Sequence, residues 1–179
     1  MNETNLPYVI KVYNCGEQSL PKYETTKSAG MDIRADFSRI DADHPIKIFG
    51  EGHFNFPNEV YKEKYLMLEP GSRAMIPTGI CLGMDCSDLE CQVRPRSGLA
   101  LKEGITVLNT PGTIDADYTE EIHVILINHS NKAVCIDNGE RIGQLVFNKI
   151  EHIKFYPVYS KEELGEGEHG KGFGHTGKN

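Results

Sequence analysis

The sequence predicts an all-β domain with one short helix. Three observations carry this expectation. Apolar and polar residues alternate over short runs; Gly, Pro, Asn and Asp bound those runs; and no long stretch repeats with a helical period. Many short strands with turn signals fit a sandwich, a jelly roll or a small barrel.

The first candidate strand is residues 8–13 (YVIKVY), with weak alternation. Residues 37–66 mix acids, aromatics and turn residues without a clear period, which predicts strands and an elaborated surface loop. Residues 90–94 (ECQVR) alternate as a half-buried strand does. Residues 97–103 (SGLALKE), followed by Gly104, form the best helical candidate, with glycine as its stop signal. Pro111-Gly112 between apolar runs predicts a β-hairpin over residues 109–118. Residues 121–128 alternate over their first half, and residues 142–147 are mostly apolar; both read as strands. Residues 165–179 carry glycine at 165, 167, 170, 172, 174 and 177 and few apolar side chains. They cannot bury enough surface to fold alone, so the expected organisation is a β domain over residues 1–164 and a flexible tail over 165–179. Phe173 in that tail suggests docking.

The 179 residues suit one domain, and the 39% hydrophobic and 25% charged content is that of an ordinary soluble protein. A net charge of −7 argues against a nucleic-acid binder held by phosphate contacts, but not against a small phosphorylated ligand in a locally basic pocket. No secretory signal and no membrane-length apolar run is seen. The five cysteines include no C-x-x-C pair, so reduced, buried thiols in a cytoplasmic protein are expected rather than a zinc site.

Four constellations carry possible chemistry. In 95–100 (PRSGLA), Ser97 would open a helix whose N–H groups, with Arg96, suit an anion; a plain helix cap with a surface arginine is the alternative. In 109–118 (NTPGTIDADY), hairpin backbone and the Asn109 amide could meet a planar ligand, and Asp115 or Asp117 could orient a water or a metal; ordinary turn chemistry is the alternative. In 141–147 (RIGQLVF), Gln144 is polar within an apolar strand, which an outward-facing position would also explain. In 170–177 (GKGFGHTG), an aromatic and a histidine sit in a glycine-rich run; residues 172–178 fit most of a P-loop, but Asn179 stands where Ser or Thr is required and no strand precedes it, so the P-loop reading is rejected.

Taken in order, and with residues 29–36 (AGMDIRAD), these segments resemble the five motifs of the trimeric dUTPase family. The resemblance implies a distorted jelly-roll (β-clip) fold with one short helix, assembled as a homotrimer with shared active sites. It implies hydrolysis of dUTP to dUMP and pyrophosphate by water attack on the α-phosphorus, with Mg²⁺ held mainly by the triphosphate. Such a reaction lowers dUTP and supplies dUMP for thymidylate synthesis. By motif, Asp115 corresponds to the residue that holds the attacking water. Asn109 and the backbone of Gly112, Thr113 and Ile114 correspond to the uracil-reading hairpin, and Tyr118 to the aromatic under the deoxyribose. Arg96, Ser97, Gly98 and Gln144 correspond to phosphate contacts. Asp32 corresponds to an acid near the metal, acting through water. Phe173 and Gly174 correspond to the tail motif that covers the base, and Arg141 to a structural ion pair.

The chain departs from the family pattern at three places, one being the stretch between residues 29–36 and Arg73, which is longer than the family minimum and reads as a surface insertion. Glu168 stands where the tail usually has an arginine, and Lys171 is the candidate to replace it. Thr119-Glu120 follows Tyr118 where Arg-Gly is usual. A dCTP deaminase of the same fold, and a non-catalytic nucleotide- or partner-binding protein on it, are the competing readings. Tyr118 and the glycine-rich aromatic tail favour dUTPase over the deaminase.

Overall fold

The computed structural model describes residues 8–57 and 63–165. Their order is β1 (Lys11–Asn14), β2 (Met31–Arg34), β3 (Lys47–Phe49), β4 (Gly52–Asn55), β5 (Tyr65–Leu68), β6 (Arg73–Gly83), β7 (Leu89–Arg94), α1 (Ser97–Glu103), β8 (Ile105–Val107), β9 (Gly112–Ile114), β10 (Glu121–Asn128), β11 (Val134–Asp137) and β12 (Arg141–Lys149). One sheet runs β1-β6-β10-β8, with β3 also on β6; a second runs β11-β5-β4; a third runs β2-β12-β7-β9. Among the described residues no helix is long and apolar enough to cross a membrane.

Alternation explains the sheets. In β10 every second residue is buried along the full strand, so Ile122, Val124 and Leu126 face the core. In β7 the buried set is Leu89, Cys91 and Val93. β6 is long enough to pair β10 along one edge while β1 and β3 use different parts of the other. The helix spans Ser97–Glu103 as expected, and Gly104, at φ 69°, ends it in the left-handed conformation that glycine adopts without strain.

Several expectations need correction. The first strand starts at Lys11, not residue 8, because β6 ends at Gly83, the partner of Lys11. The hairpin expected over residues 109–118 is not formed: β9, its one strand, pairs β7, while the preceding β8 pairs β10, so the Pro111-Gly112 turn carries the chain between two sheets. All five cysteines are free, but only Cys91 is buried; Cys135 lies on the outward-alternating face of β11 and is exposed.

The stretch 37–66 holds the expected strands, β3, β4 and the start of β5, and also reaches the core. Phe37 is fully buried and meets Phe54 edge-on at 5.2 Å between ring centroids; Phe54 meets Phe56 in the same way. The Lys64 ammonium donates to the carbonyls of Phe37 (2.8 Å), Ser38 (3.0 Å) and Ile40 (2.8 Å), tying both ends of the stretch together.

Asp36 anchors this stretch to the amino-terminal segment. Its buried carboxylate accepts N–H bonds from Glu17 (2.6 Å), Gln18 (3.0 Å) and Ser38 (2.9 Å), and one from the Ser38 hydroxyl. Gly16 permits this approach, since a Cβ there would lie 2.1 Å from Asp36 Oδ2. Burial raises the Asp36 pKa, but the donors from Ser38, Gln18 and Glu17 outweigh it and hold the carboxyl below its ordinary value.

Asp36→Asn should therefore lower stability at neutral pH by about 1–3 kcal/mol, because an amide cannot accept from all four donors. A depressed folded pKa means that this stabilisation is present above the ordinary carboxyl pKa and lost as pH falls through the folded value. The gap in urea midpoint between wild type and variant should close in acid. A gap independent of pH would reject this account of Asp36.

Candidate active site

One group of side chains lies at the Arg94 end of β7; a second follows β9 from Gly112, opposite Val93, to the turn after Ile114, opposite Cys91. At the Arg94 end, Gln144 on β12 is in register with Arg94 on β7 and with Asp32 on β2. Partners directly opposite in an antiparallel ladder project to the same face, so this row brings Gln144 onto Asp32. The Asp32 side chain is only 9% exposed. Its Oδ1 accepts from Arg96 Nε at 3.1 Å and Gln144 Nε2 at 3.2 Å, and its Oδ2 from Arg141 Nη1 at 3.1 Å. A buried carboxylate needs such partners, and two guanidinium groups supply the counter-charge.

Arg96 also donates from Nη1 to the Arg141 carbonyl at 3.1 Å, so its guanidinium is fixed on two sides. Among the described residues its Nη2 makes no bond, which leaves a donor for an anion. Ser97 and Gly98 follow at the exposed start of α1, where backbone N–H groups have no helical acceptor. A Cβ at Gly98 would meet nothing within 4 Å, so internal packing does not require glycine there.

At the other end, β9 leads into a tight turn closed by Tyr118 N–H donating to the Asp115 carbonyl at 3.1 Å. The turn sets Asp115 and Tyr118 side by side. The Asp115 carboxylate is exposed and accepts no hydrogen bond among the described residues, so it is open to a water. Tyr118 is 39% exposed, and its hydroxyl donates to the Glu121 carbonyl at 3.0 Å. Asn109 lies over Gly112, where a Cβ would meet the Asn109 Nδ2 at 3.2 Å. Thr113 is exposed and Ile114 half-buried. Asp115, Ala116 and Asp117 border a cavity of about 740 Å³ whose apolar wall includes Met84, Leu89 and Ile150.

The structure thus brings together Asp32, Arg96 and Gln144, with Ser97 and Gly98 adjoining. Separately, it brings together Asn109, Gly112, Thr113, Ile114, Asp115 and Tyr118. Within one chain Gly112, opposite Val93, lies at the Arg94 end of β7, whereas Asp115 lies at the other end. Since Ile114 pairs Cys91, Asp115 stands beside Glu90. Arg94 is four residues further along, about 13 Å at the rise of a strand, and Arg96 lies beyond it. Lys171, Phe173 and Gly174 fall outside the described residues.

Sequence reasoning missed two residues near the turn. Glu121 accepts N–H bonds from Thr78 (3.1 Å) and Gly79 (2.7 Å) and pairs with Arg39. Burial raises the Glu121 pKa, but the bond from Arg39 and the Gly79 N–H outweigh it and hold the carboxyl below its ordinary value. The only sequence signal was the unusual Thr119-Glu120 beside it.

Comparison with known proteins bears on the family and the fold. The dUTPase family model matches residues 59–177. The chain is 41% identical over 179 residues to the deoxyuridine 5'-triphosphate nucleotidohydrolase of Cytophaga hutchinsonii, covering 99% of this chain and 97% of that protein. It is 45% identical over 170 residues to the protein of the same name from Fusobacterium nucleatum subsp. nucleatum, covering 94% and 97%. Among solved structures, a mutant dUTPase of Staphylococcus bacteriophage 80alpha with dUpNHpp matches at a TM-score of 0.68 and 20% identity, covering 95% of this chain and 99% of that one. A mutant dUTPase from phage phi11 of S. aureus, described with a structural Mg(II) ion, matches at 0.64 and 17% identity, covering 86% and 99%. The solved structures show a shared jelly-roll-like fold, and the family match and the sequence relatives show more: this chain belongs to the dUTPase family.

Proposed function

We propose that this chain hydrolyses dUTP to dUMP and pyrophosphate, with Asp115 holding the water that attacks the α-phosphorus. The observation that carries the role of Asp115 is its open carboxylate, fixed in one turn with Tyr118 next to the Asn109–Gly112 edge. The water oxygen bonds to the α-phosphorus, the bond from that phosphorus to the bridging oxygen breaks, and the water proton passes to Asp115. Phosphoryl transfer of this kind needs positioning and charge neutralisation more than covalent catalysis.

The other residues divide the substrate between them. Asn109 and the backbone of Gly112, Thr113 and Ile114 read the uracil edge, since a cytosine there would leave buried polar groups unpaired. Tyr118 lies under the deoxyribose and excludes a 2′-hydroxyl. Arg96, Ser97, Gly98 and Gln144 bind phosphate oxygens, with Arg96 aimed by Asp32. Lys171 takes the place of the missing tail arginine, and Phe173 and Gly174 cover the base when the tail, residues 165–179, closes.

The donor set bears on the metal. Among the described residues no group of three or more His, Cys, Asp or Glu could hold a metal ion, and Asp32 already accepts three bonds. That composition fits Mg²⁺ carried in by the triphosphate, with Asp32 reaching it through water, better than a protein cage. When bound, the ion lowers the repulsion that the phosphates present to an incoming water.

The four-residue span of β7 from Glu90, the neighbour of Asp115, to Arg94, about 13 Å, supports a homotrimer whose sites are shared between chains. So does the carboxy-terminal arm, where Ile153, Phe155, Tyr156 and Tyr159 are 75–96% exposed on a single chain. Apolar surface of that extent marks an association surface.

The direct test is product analysis with dUTP and Mg²⁺: dUMP and pyrophosphate should appear in equal amounts. Ammonia released from dCTP without pyrophosphate would overturn the proposal in favour of a deaminase. Asp115→Asn should bind dUpNHpp about as well as wild type yet turn over at least about a hundredfold more slowly, because the amide cannot take a proton. Unchanged turnover would remove Asp115 from its role. Deleting residues 165–179 should leave the oligomer intact by light scattering with catalysis strongly reduced; full activity in that truncation would show that the tail does not close the site.

A further inference from the structure

The stretch 37–66 reaches Glu121, whose carbonyl accepts the Tyr118 hydroxyl. Arg39 extends from this stretch and pairs with the Glu121 Oε2. The Glu121 Oε1 accepts N–H bonds from Thr78 and Gly79 on β6, so the carboxylate joins three segments. The main chain of the same residue accepts the Tyr118 hydroxyl. Glu121 opens β10 at a register shift between Glu121 and His123, where the ladder to β6 is interrupted and fixes the backbone less. The Glu121 carbonyl also meets the His123 ring Nδ1 at 3.0 Å, so its place is set jointly by the ladder partner Cys81, by His123 and by the side-chain contacts of Glu121. Position 119, an arginine in the family pattern, is threonine here, and the guanidinium that reaches Glu121 comes from position 39.

We propose that Arg39 is a positioning residue for sugar selection: by pairing with Glu121 it helps fix the carbonyl that holds the Tyr118 ring. The proposal rests on the role given to Tyr118 above. Arg39 does not touch the substrate. Its side chain is half exposed while that of Glu121 is 14% exposed, so removing Arg39 exposes little core but leaves a mostly buried carboxylate without its cation. The Tyr118 ring then moves more freely under the ribose position, and a 2′-hydroxyl is tolerated better.

The test compares kcat/KM for dUTP and for UTP in wild type, Arg39→Ala, Arg39→Lys and Tyr118→Ala. Arg39→Ala should narrow the preference for dUTP by about tenfold, the scale at which one small group is discriminated in a pocket. It should raise KM for dUTP more than it lowers kcat, and Arg39→Lys should recover part of the preference. A purely structural role would lower kcat/KM for both nucleotides equally, and that result would overturn the proposal. So would an unchanged preference in Arg39→Ala where Tyr118→Ala narrows it. If Tyr118→Ala leaves the preference intact, the role of Tyr118 fails and this proposal fails with it. Should Arg39→Ala not fold, Arg39→Gln, which keeps donors without charge, carries the same comparison.

Discussion

The strand β7 and its two ladders fix the geometry on which the site depends. Leu89, Cys91 and Val93 anchor it in the core, so its register against β9 and β12 cannot slip by one residue without turning those side chains to solvent. One ladder holds Gly112–Ile114 and so sets where Asp115 emerges. The other holds Gln144 opposite Arg94 and so sets where Arg96 and Ser97 emerge. Asp115 and the Asp32–Arg96–Gln144 cluster are thereby kept at a constant separation along β7.

Asp32 organises the phosphate end. Its carboxylate is nearly buried and is neutralised by Arg96 and Arg141, with Gln144 as a third donor. Removing one partner from a buried pair commonly costs about 3–5 kcal/mol, because the remaining charge is left uncompensated. The same bonds restrict the Arg96 guanidinium to one orientation before any ligand arrives. Preorganised donors bind developing charge without reorganising, which is where electrostatic catalysis gains most. Asp32 thus aims an arginine, which under the proposed function is a phosphate donor.

Much of the fold was legible in the residues themselves. Alternation marked β7 and β10, and the Ser97–Gly104 segment carried its own stop signal. Local patterns failed where the outcome depended on distant partners. Pro111-Gly112 announces a turn, but nothing nearby says that β8 will pair β10 while β9 pairs β7. Phe37 and Lys64 lie in a stretch without period, and only their long-range contacts with Phe54 and with the carbonyls of residues 37–40 make it part of the core. The site residues were visible as an ordered set of motifs. The partners that orient them were not: Arg141 gave no hint of Asp32, nor Arg39 of Glu121, because ion pairs across 82 and 109 positions leave no local spacing to read.

The claim that each site draws Asp115 from one chain and its phosphate donors from another is tested most directly by mixing inactive variants. Asp115→Asn and Gln144→Ala chains, each nearly inactive alone, would be unfolded together and reassembled. Shared sites predict that the mixture regains activity, since some sites then pair an intact Asp115 with an intact Gln144. A mixture no more active than the sum of its two components would contradict it, and would mean that each chain closes its own site.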